Sequence, residues 1–159
     1  LWQDFNVDVT RQWSKKLKTT VLYSFQEWNP THGYHHSTYV SNIFVADVQY
    51  KFDRKKSLRV EVQYLYADRH DGAYDYEGDW VAGLVEFSLA PRWSFFVQDM
   101  YNIDKTKTNY YSGGFSYTYN RTRVQLSYGR NRAGYICSGG VCRYSPAYTG
   151  VNLVLTSSF

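Results

Sequence analysis

Two cysteines are the residues whose spacing most clearly points to covalent chemistry. Cys137 and Cys142 stand in the run Cys-Ser-Gly-Gly-Val-Cys, where the glycine pair lets the chain fold back on itself. Such a reversal brings two Cα atoms within reach of a disulfide. A metal site would need further ligands close by, and the neighbouring residues supply none. We expect a disulfide that braces a loop in an oxidising compartment.

Two other segments carry residue types that bind metals. His32, His35 and His36 lie in Pro-Thr-His-Gly-Tyr-His-His and could offer imidazoles to a transition metal. The segment 68–79 is acidic, but it lacks the ligand spacing of an EF-hand calcium loop. Solvated loops explain both segments more simply, so we predict no metal site and no cofactor.

No motif typical of an enzyme occurs in the sequence. It contains no Gly-x-Ser-x-Gly elbow, zinc-protease helix, phosphate-binding loop or Cys-x-x-Cys pair. Asp, His and Ser residues fall in loops or on one side of alternating segments. The sequence therefore predicts a protein that is not an enzyme.

Most charged residues outside the loops belong to segments that alternate between polar and apolar positions. Nine such segments occur, each about 9 to 13 residues long, which is the length of a tilted membrane strand. The polar positions are expected to line a water-filled lumen: Asp4, Asp8, Asp47, Lys51, Arg59, Glu61, Glu86 and Arg123. The apolar positions are expected to face lipid: Phe44, Val48, Tyr50, Val60, Val62, Tyr64, Phe87, Phe95, Phe115, Leu126, Leu153, Leu155 and Phe159.

Particular hairpins can be placed in register from this alternation. Pairing Trp13 with Leu17 aligns the apolar sides of the first hairpin as far as Phe5 and Phe25. The two-residue turn 120–121 places Gly113 beside Tyr128. The turn 53–57 places Lys51 diagonal to Glu61, close enough for an ion pair. Asp99 breaks the pattern, since its phase points a carboxylate towards lipid; a bulge, a neighbouring subunit or a wrongly phased strand would each explain it.

The composition supports membrane strands over membrane helices. The chain has 159 residues, of which 17 are Tyr, 9 Phe and 5 Trp, and its mean hydropathy is −0.54. No apolar run approaches the roughly 18 residues of a membrane helix. Outer-membrane barrels, by contrast, use many aromatic rings at both membrane interfaces.

The connections between segments alternate in length. Those after Trp13, Phe52, Leu89 and Tyr119 have two to five residues, whereas the intervening ones are longer. Outer-membrane barrels have short periplasmic turns and long external loops. Basic residues cluster at the short turns, which suits anionic headgroups, although turns also need soluble residues: Lys15, Lys16, Lys18, Arg54, Lys55, Lys56, Arg92, Arg121 and Arg123. The aromatic residues do not interleave with these cations, so nucleic acid is not an expected partner.

The last thirty residues resemble the end of a Bacteroidota outer-membrane barrel family of uncharacterised function. The resemblance covers Gly129 to Phe159, including Gly-Arg-Asn-Arg-Ala-Gly and the two-cysteine run. It implies an outer-membrane barrel and a longer parent protein, and it transfers no catalytic residue. The odd strand count also favours a carboxy-terminal part of a larger barrel, because bacterial single-chain barrels have even strand numbers; a miscount by one strand is the alternative.

These observations predict an all-β protein: one antiparallel transmembrane β-barrel domain over residues 1–159, in the outer membrane of a Gram-negative bacterium. Its expected role is a porin-like channel or a structural component of an outer-membrane complex. One alternative is an incomplete barrel held as a client of the barrel-assembly machinery. Another is a soluble ligand-binding β-barrel with its apolar face inward. Lipids of the outer membrane, other outer-membrane proteins and the assembly machinery are the expected partners.

Overall fold

A computed structural model of the chain describes residues 2–28, 38–68, 78–138 and 141–158. Eleven β-strands account for most of these residues. Their bounds are β1 Trp2–Gln12, β2 Leu17–Trp28, β3 Tyr39–Lys51, β4 Lys56–Asp68, β5 Trp80–Leu89, β6 Trp93–Asn102, β7 Asn109–Tyr119, β8 Thr122–Asn131, β9 Gly134–Ser138, β10 Val141–Ser145 and β11 Tyr148–Ser157. No helix in the described segments is long and apolar enough to cross a membrane.

Nine of the strands form one antiparallel sheet in the order β1-β2-β3-β4-β5-β6-β7-β8-β11, with β1 and β11 at its two ends. The all-β, antiparallel prediction is confirmed. Closure into a barrel is not seen, because no described residue of β1 pairs with β11. The nine alternating segments of the sequence correspond to these nine strands.

The strands β9 and β10 form a separate hairpin inside the connection from β8 to β11. The sequence indicated a long loop in this connection and predicted neither strand. Its alternation is short and interrupted by glycines, which hides the strand signal. Cys137 and Cys142 are directly paired backbone positions in this hairpin. Their side chains lie outside the described part of the structure, so the disulfide stays a prediction.

Cross-strand register sorts the side chains onto two opposite faces. One transverse row is apolar across eight neighbouring strands: Leu17, Tyr50, Leu58, Phe87, Phe95, Phe115, Leu126 and Leu153. The adjacent row, on the other face, is mainly polar: Lys18, Gln49, Arg59, Glu86, Phe96, Gly114, Ser127 and Asn152. We call these the apolar face and the polar face.

Burial of the two faces is the reverse of that in a soluble sheet. Trp80 is the only buried apolar side chain among those whose burial is described. Four polar side chains are buried: Ser24, Asp47, Asn102 and Ser116. Leu153 and Leu155, in contrast, are about two-thirds exposed, at 66% and 68%. The described residues thus form no apolar core, and the sheet covers its polar face better than its apolar face.

Two glycines on the polar face permit the close approach of β7 and β8. A Cβ atom on Gly114 would lie 2.3 Å from the carbonyl oxygen of Leu126, and one on Gly129 would lie 2.3 Å from that of Tyr111. Gly83, on the apolar face of β5, has no heavy atom within 4 Å of the same position. Only glycine therefore fits at positions 114 and 129 without moving backbone.

We predict that Gly114→Ala destabilises the protein by about 1–3 kcal/mol, because the added methyl must displace the neighbouring strand. Gly83→Ala is the matched control and should leave stability unchanged or raise it slightly. Equilibrium urea unfolding of both variants measures the difference. Equal unfolding midpoints for the two variants would refute the steric explanation.

Candidate functional site

The polar face carries a charge cluster on β3 and β4. Arg59 Nε donates to Asp47 Oδ2 at 2.5 Å, and Arg59 Nη2 donates to Glu61 Oε2. The Asp47 and Glu61 side chains are only 10% and 13% exposed, whereas Arg59 is 39% exposed. One guanidinium thus bridges two carboxylates that the sheet has largely removed from bulk water, and the three groups together keep one negative charge.

Neutral polar groups extend this cluster across the face. Gln49 Nε2 donates to Asp47 Oδ1 at 3.0 Å, and Gln63 Nε2 donates to Glu61 Oε1. On the next strands, Ser94 Oγ donates to Glu86 Oε1 at 2.9 Å. Each of the three carboxylates therefore has a hydrogen-bond donor.

The predicted ion pair between Lys51 and Glu61 is wrong. Lys51 pairs with Ser57, whereas Glu61 pairs with Asp47, which lies four residues before Lys51 in β3. The turn is tighter than the sequence indicated, because Lys56 already belongs to β4 and accepts a hydrogen bond from Phe52 N. The register moves by two residues, so every side chain keeps its face while its partner changes.

A cavity of about 270 Å³ opens on the polar side of the sheet. Its lining extends from Glu61 and Gln63 on β4 to Asn131 at the end of β8. A flat sheet would separate those strands by about 19 Å, at roughly 4.8 Å per strand. Contact of both with one cavity indicates that the sheet curves with its polar face inward.

Aromatic rings and guanidinium groups meet beside this cavity, towards the long connections. Arg132 lies 4.9 Å from the centre of the Trp80 ring, and Arg130 lies 5.7 Å from that of Tyr110. The two rings are 5.9 Å apart. The sequence did not predict these contacts of Arg130, Arg132 and Trp80. They depend on curvature of the sheet, which the alternation of polar and apolar residues does not encode.

Nearby, the buried Asn102 accepts hydrogen bonds through Oδ1 from the backbone N–H groups of Lys105 and Thr106, at 2.9 and 2.7 Å, and so shapes the β6–β7 connection.

The face assignments made from sequence follow the strand register. The residues expected at the lumen all fall on the polar face: Asp4, Asp8, Asp47, Lys51, Arg59, Glu61, Glu86 and Arg123. The described residues expected at lipid all fall on the apolar face: Phe44, Val48, Tyr50, Val60, Val62, Tyr64, Phe87, Phe95, Phe115, Leu126, Leu153 and Leu155. Phe159 lies outside the described residues. What each face contacts stays a prediction.

Asp99 also keeps the strand phase predicted for it from the alternation. It pairs with Gly83 and Tyr111 in a continuous register, so no bulge and no wrong phase accounts for it within β6. It therefore stands on the apolar face, beside the space that Gly83 leaves. A bulge, a wrongly phased strand and a contact with a neighbouring subunit were the three explanations for Asp99. This register is compatible with the contact with a neighbouring subunit.

Side chains on the apolar face are arranged in layers. Near the short turns the exposed side chains are aromatic: Trp13, Phe52, Trp93 and Tyr119. The middle of the face is mainly aliphatic, with Val9, Val21, Val48, Val62, Val85 and Val97, although Asp99, Tyr111 and Tyr128 lie in the same transverse rows. Towards the long connections of the first four strands, aromatic residues return: Phe5, Phe44, Tyr64 and Tyr66.

The described residues contain no group of three His, Cys, Asp or Glu side chains positioned to hold a metal ion. His32, His35, His36 and most of the acidic segment 68–79 lie outside the described part of the chain. The site consequently consists of hydrogen-bond donors and acceptors, charges and aromatic rings. Such a surface can bind water, ions and polar solutes.

The whole chain, residues 1–159, matches a family of unknown function, DUF6029. The chain belongs to the DUF6029 family. That family description assigns no activity, so it transfers no functional residue to this member. No curated protein and no solved structure matches the chain.

Proposed function

We propose that this DUF6029 member is an integral outer-membrane protein whose sheet is part of a β-barrel. In this proposal its apolar face contacts lipid, and its polar face lines a water-filled interior. The role is that of a porin-like channel or a structural component of an outer-membrane complex. The observation that carries the proposal is the reversed burial of the two faces.

A soluble sheet must cover its apolar face with another layer of secondary structure. The described residues provide no such layer, and the exposed apolar residues extend from β1 to β11. A continuous surface of that extent exceeds the few hundred Å² that a soluble monomer exposes. Lipid chains would cover it, since a barrel satisfies its backbone hydrogen bonds between strands. A soluble ligand-binding barrel would instead turn this face inward.

The layering of the apolar face fits the dimensions of a membrane. Tyr64 belongs to one aromatic layer, and Lys56 is level with Trp93 of the other, because both pair with Leu89. Along β4 these two positions are separated by about 27 Å, at about 3.4 Å per residue. A strand tilt of 35–45° reduces that height to about 19–22 Å, close to the roughly 25 Å apolar band of outer-membrane barrels. Aromatic layers border this band on both sides, as interfacial girdles do.

The polar face supports a wet interior. Charged side chains in a dry core would cost several kcal/mol each unless every one were paired. Arg59 is 39% exposed although it forms ion pairs with two carboxylates. Water therefore reaches this charge cluster.

Insertion followed by conductance measurement tests the proposal. The chain, folded from denaturant into phosphatidylcholine vesicles, should float with them and resist alkaline extraction. Discrete current steps in a planar bilayer would support a channel, and insertion without any current would support the structural role. A chain that stays in the aqueous phase with intact β structure would contradict both.

A second candidate is suggested by the open edges of the sheet. Edge strands expose unpaired backbone groups that cannot face lipid, and β1 and β11 each have one unpaired side in the described structure. Both edges would be satisfied by strands of a larger barrel or of the barrel-assembly machinery. Cysteines introduced on β1 and β11 should then cross-link to such a partner. Cross-links only between β1 and β11 would instead show closure of this sheet on itself.

A further inference from the structure

The short-turn end of the sheet carries a concentrated positive charge. We define this rim as residues 12–18, 50–58, 88–94 and 118–124. It contains ten of the 18 Lys and Arg residues but only one of the 14 acidic residues, Asp53. The remaining chain holds more acidic than basic residues, so the protein is electrostatically polarised along its strands.

Part of this rim forms a groove between the β1–β2 turn and the β3–β4 turn. The groove encloses about 440 Å³. Six basic side chains line it: Lys15, Lys16, Lys51, Arg54, Lys55 and Lys56. Within the described residues, none of the six forms an ion pair with a carboxylate.

Backbone hydrogen bonds fix the positions from which these side chains project. Lys51 N donates to Lys16 O at 2.8 Å, which attaches the first turn to β3. Ala90 N donates to Lys55 O at 2.7 Å, which attaches the second turn to the β5–β6 turn. The cationic arrangement is therefore built into the sheet.

Asp53 is the single carboxylate in the groove, and it is engaged by its own turn. Its Oδ1 accepts the backbone N–H groups of Lys55 at 2.6 Å and Lys56 at 2.9 Å. The hydrogen bond from Lys55, supported by that from Lys56, lowers the pKa of Asp53 from its ordinary value of 3.8. It contributes one negative charge against six positive charges, and the groove remains strongly cationic.

We propose that this groove binds the phosphate of an anionic phospholipid headgroup at the short-turn end of the sheet. The proposal rests on the membrane location proposed above. Trp13 and Phe52, which directly adjoin the two turns, are exposed on the apolar face, as rings at a membrane interface are. The groove then lies at headgroup depth, where each Lys or Arg strengthens binding to anionic lipid.

A lipid-selectivity measurement tests this proposal on the detergent-folded chain. Phosphatidylglycerol and phosphatidylcholine are offered at equal concentration, and the retained lipids are counted by native mass spectrometry. The wild-type chain should retain phosphatidylglycerol about a hundredfold more strongly, and K16Q/K55Q, which leaves four of the six basic side chains, should reduce that preference about tenfold. K105Q/K107Q is the matched control: it removes two charges from the β6–β7 connection at the opposite end and should behave like wild type.

Three outcomes would overturn the proposal. The first is an equal loss of preference in both double variants, which would indicate only diffuse attraction. The second is equal retention of the two lipids by the wild-type chain. The third is displacement of phosphatidylglycerol by millimolar inorganic phosphate, which would identify a site for free phosphate. The measurement uses detergent, so failure to insert into vesicles contradicts the proposed function without deciding this result.

Discussion

Val62→Arg is expected to destabilise the membrane-inserted chain by about 2–4 kcal/mol. Val62 is the central residue of β4 and is 51% exposed on the aliphatic layer of the apolar face. An arginine at the middle of the bilayer incurs that cost because its charge must remain hydrated. In a soluble protein, an exposed substitution of this kind changes stability by no more than about 0.5 kcal/mol. The two environments thus predict clearly different results for one substitution.

Gln63→Arg provides the matched control, because Gln63 is the next residue and is exposed on the polar face. Its new charge would meet water and the neighbouring Glu61, so we expect little change in stability. Folding both variants into vesicles across a urea series gives their free energies of unfolding. If the two variants differ by less than about 0.5 kcal/mol, the lipid assignment of the apolar face fails.

Arg59→Gln is expected to have the second large effect. Removing the guanidinium leaves Asp47 and Glu61 as directly paired, poorly solvated carboxylates without their cation. Breaking a fully buried ion pair costs about 3–5 kcal/mol. The partial exposure of Arg59 screens this interaction, so we expect a loss of about 2 kcal/mol.

Two further variants separate the charge effect from general damage. Arg123→Gln removes an exposed arginine from the same face and should change stability by less than about 0.5 kcal/mol. R59Q/E61Q removes one carboxylate as well and should recover part of the loss. Urea unfolding of all three variants measures these effects. If R59Q/E61Q is no more stable than Arg59→Gln, repulsion between the carboxylates is not the cause.

The regular part of the fold was predictable from sequence because alternation has a strict physical meaning. Side chains of a strand point to opposite faces with a period of two, so Phe5 and Phe25 could be paired from the pattern alone, and the structure confirms that register. The pairing of Gly113 with Tyr128 is confirmed for the same reason. In both hairpins a short turn left little freedom in the alignment.

Where the turn length was ambiguous, prediction failed. Counting residues 53–57 as the turn moved the β3–β4 register by two and misassigned the partner of Glu61. A two-residue slip preserves the hydrophobic pattern, so the pattern could not reveal the error. The cavity and the Arg132–Trp80 contact depend on sheet curvature. Sequence spacing specifies neither that curvature nor the close approach of β7 and β8 at Gly114 and Gly129.

Paired labelling shows which face of the sheet contacts lipid and which contacts water. With Cys137 and Cys142 replaced by serine, single cysteines carrying a fluorophore are placed in vesicle-folded protein at Val62, Val85 and Val97, or at Gln63, Ser88 and Gln98. The first set stands on the apolar face and the second on the polar face. We predict quenching of the first set by nitroxide lipids and of the second by aqueous iodide. Iodide quenching of both sets, with no effect of the nitroxide lipids, would show that the apolar face does not contact lipid.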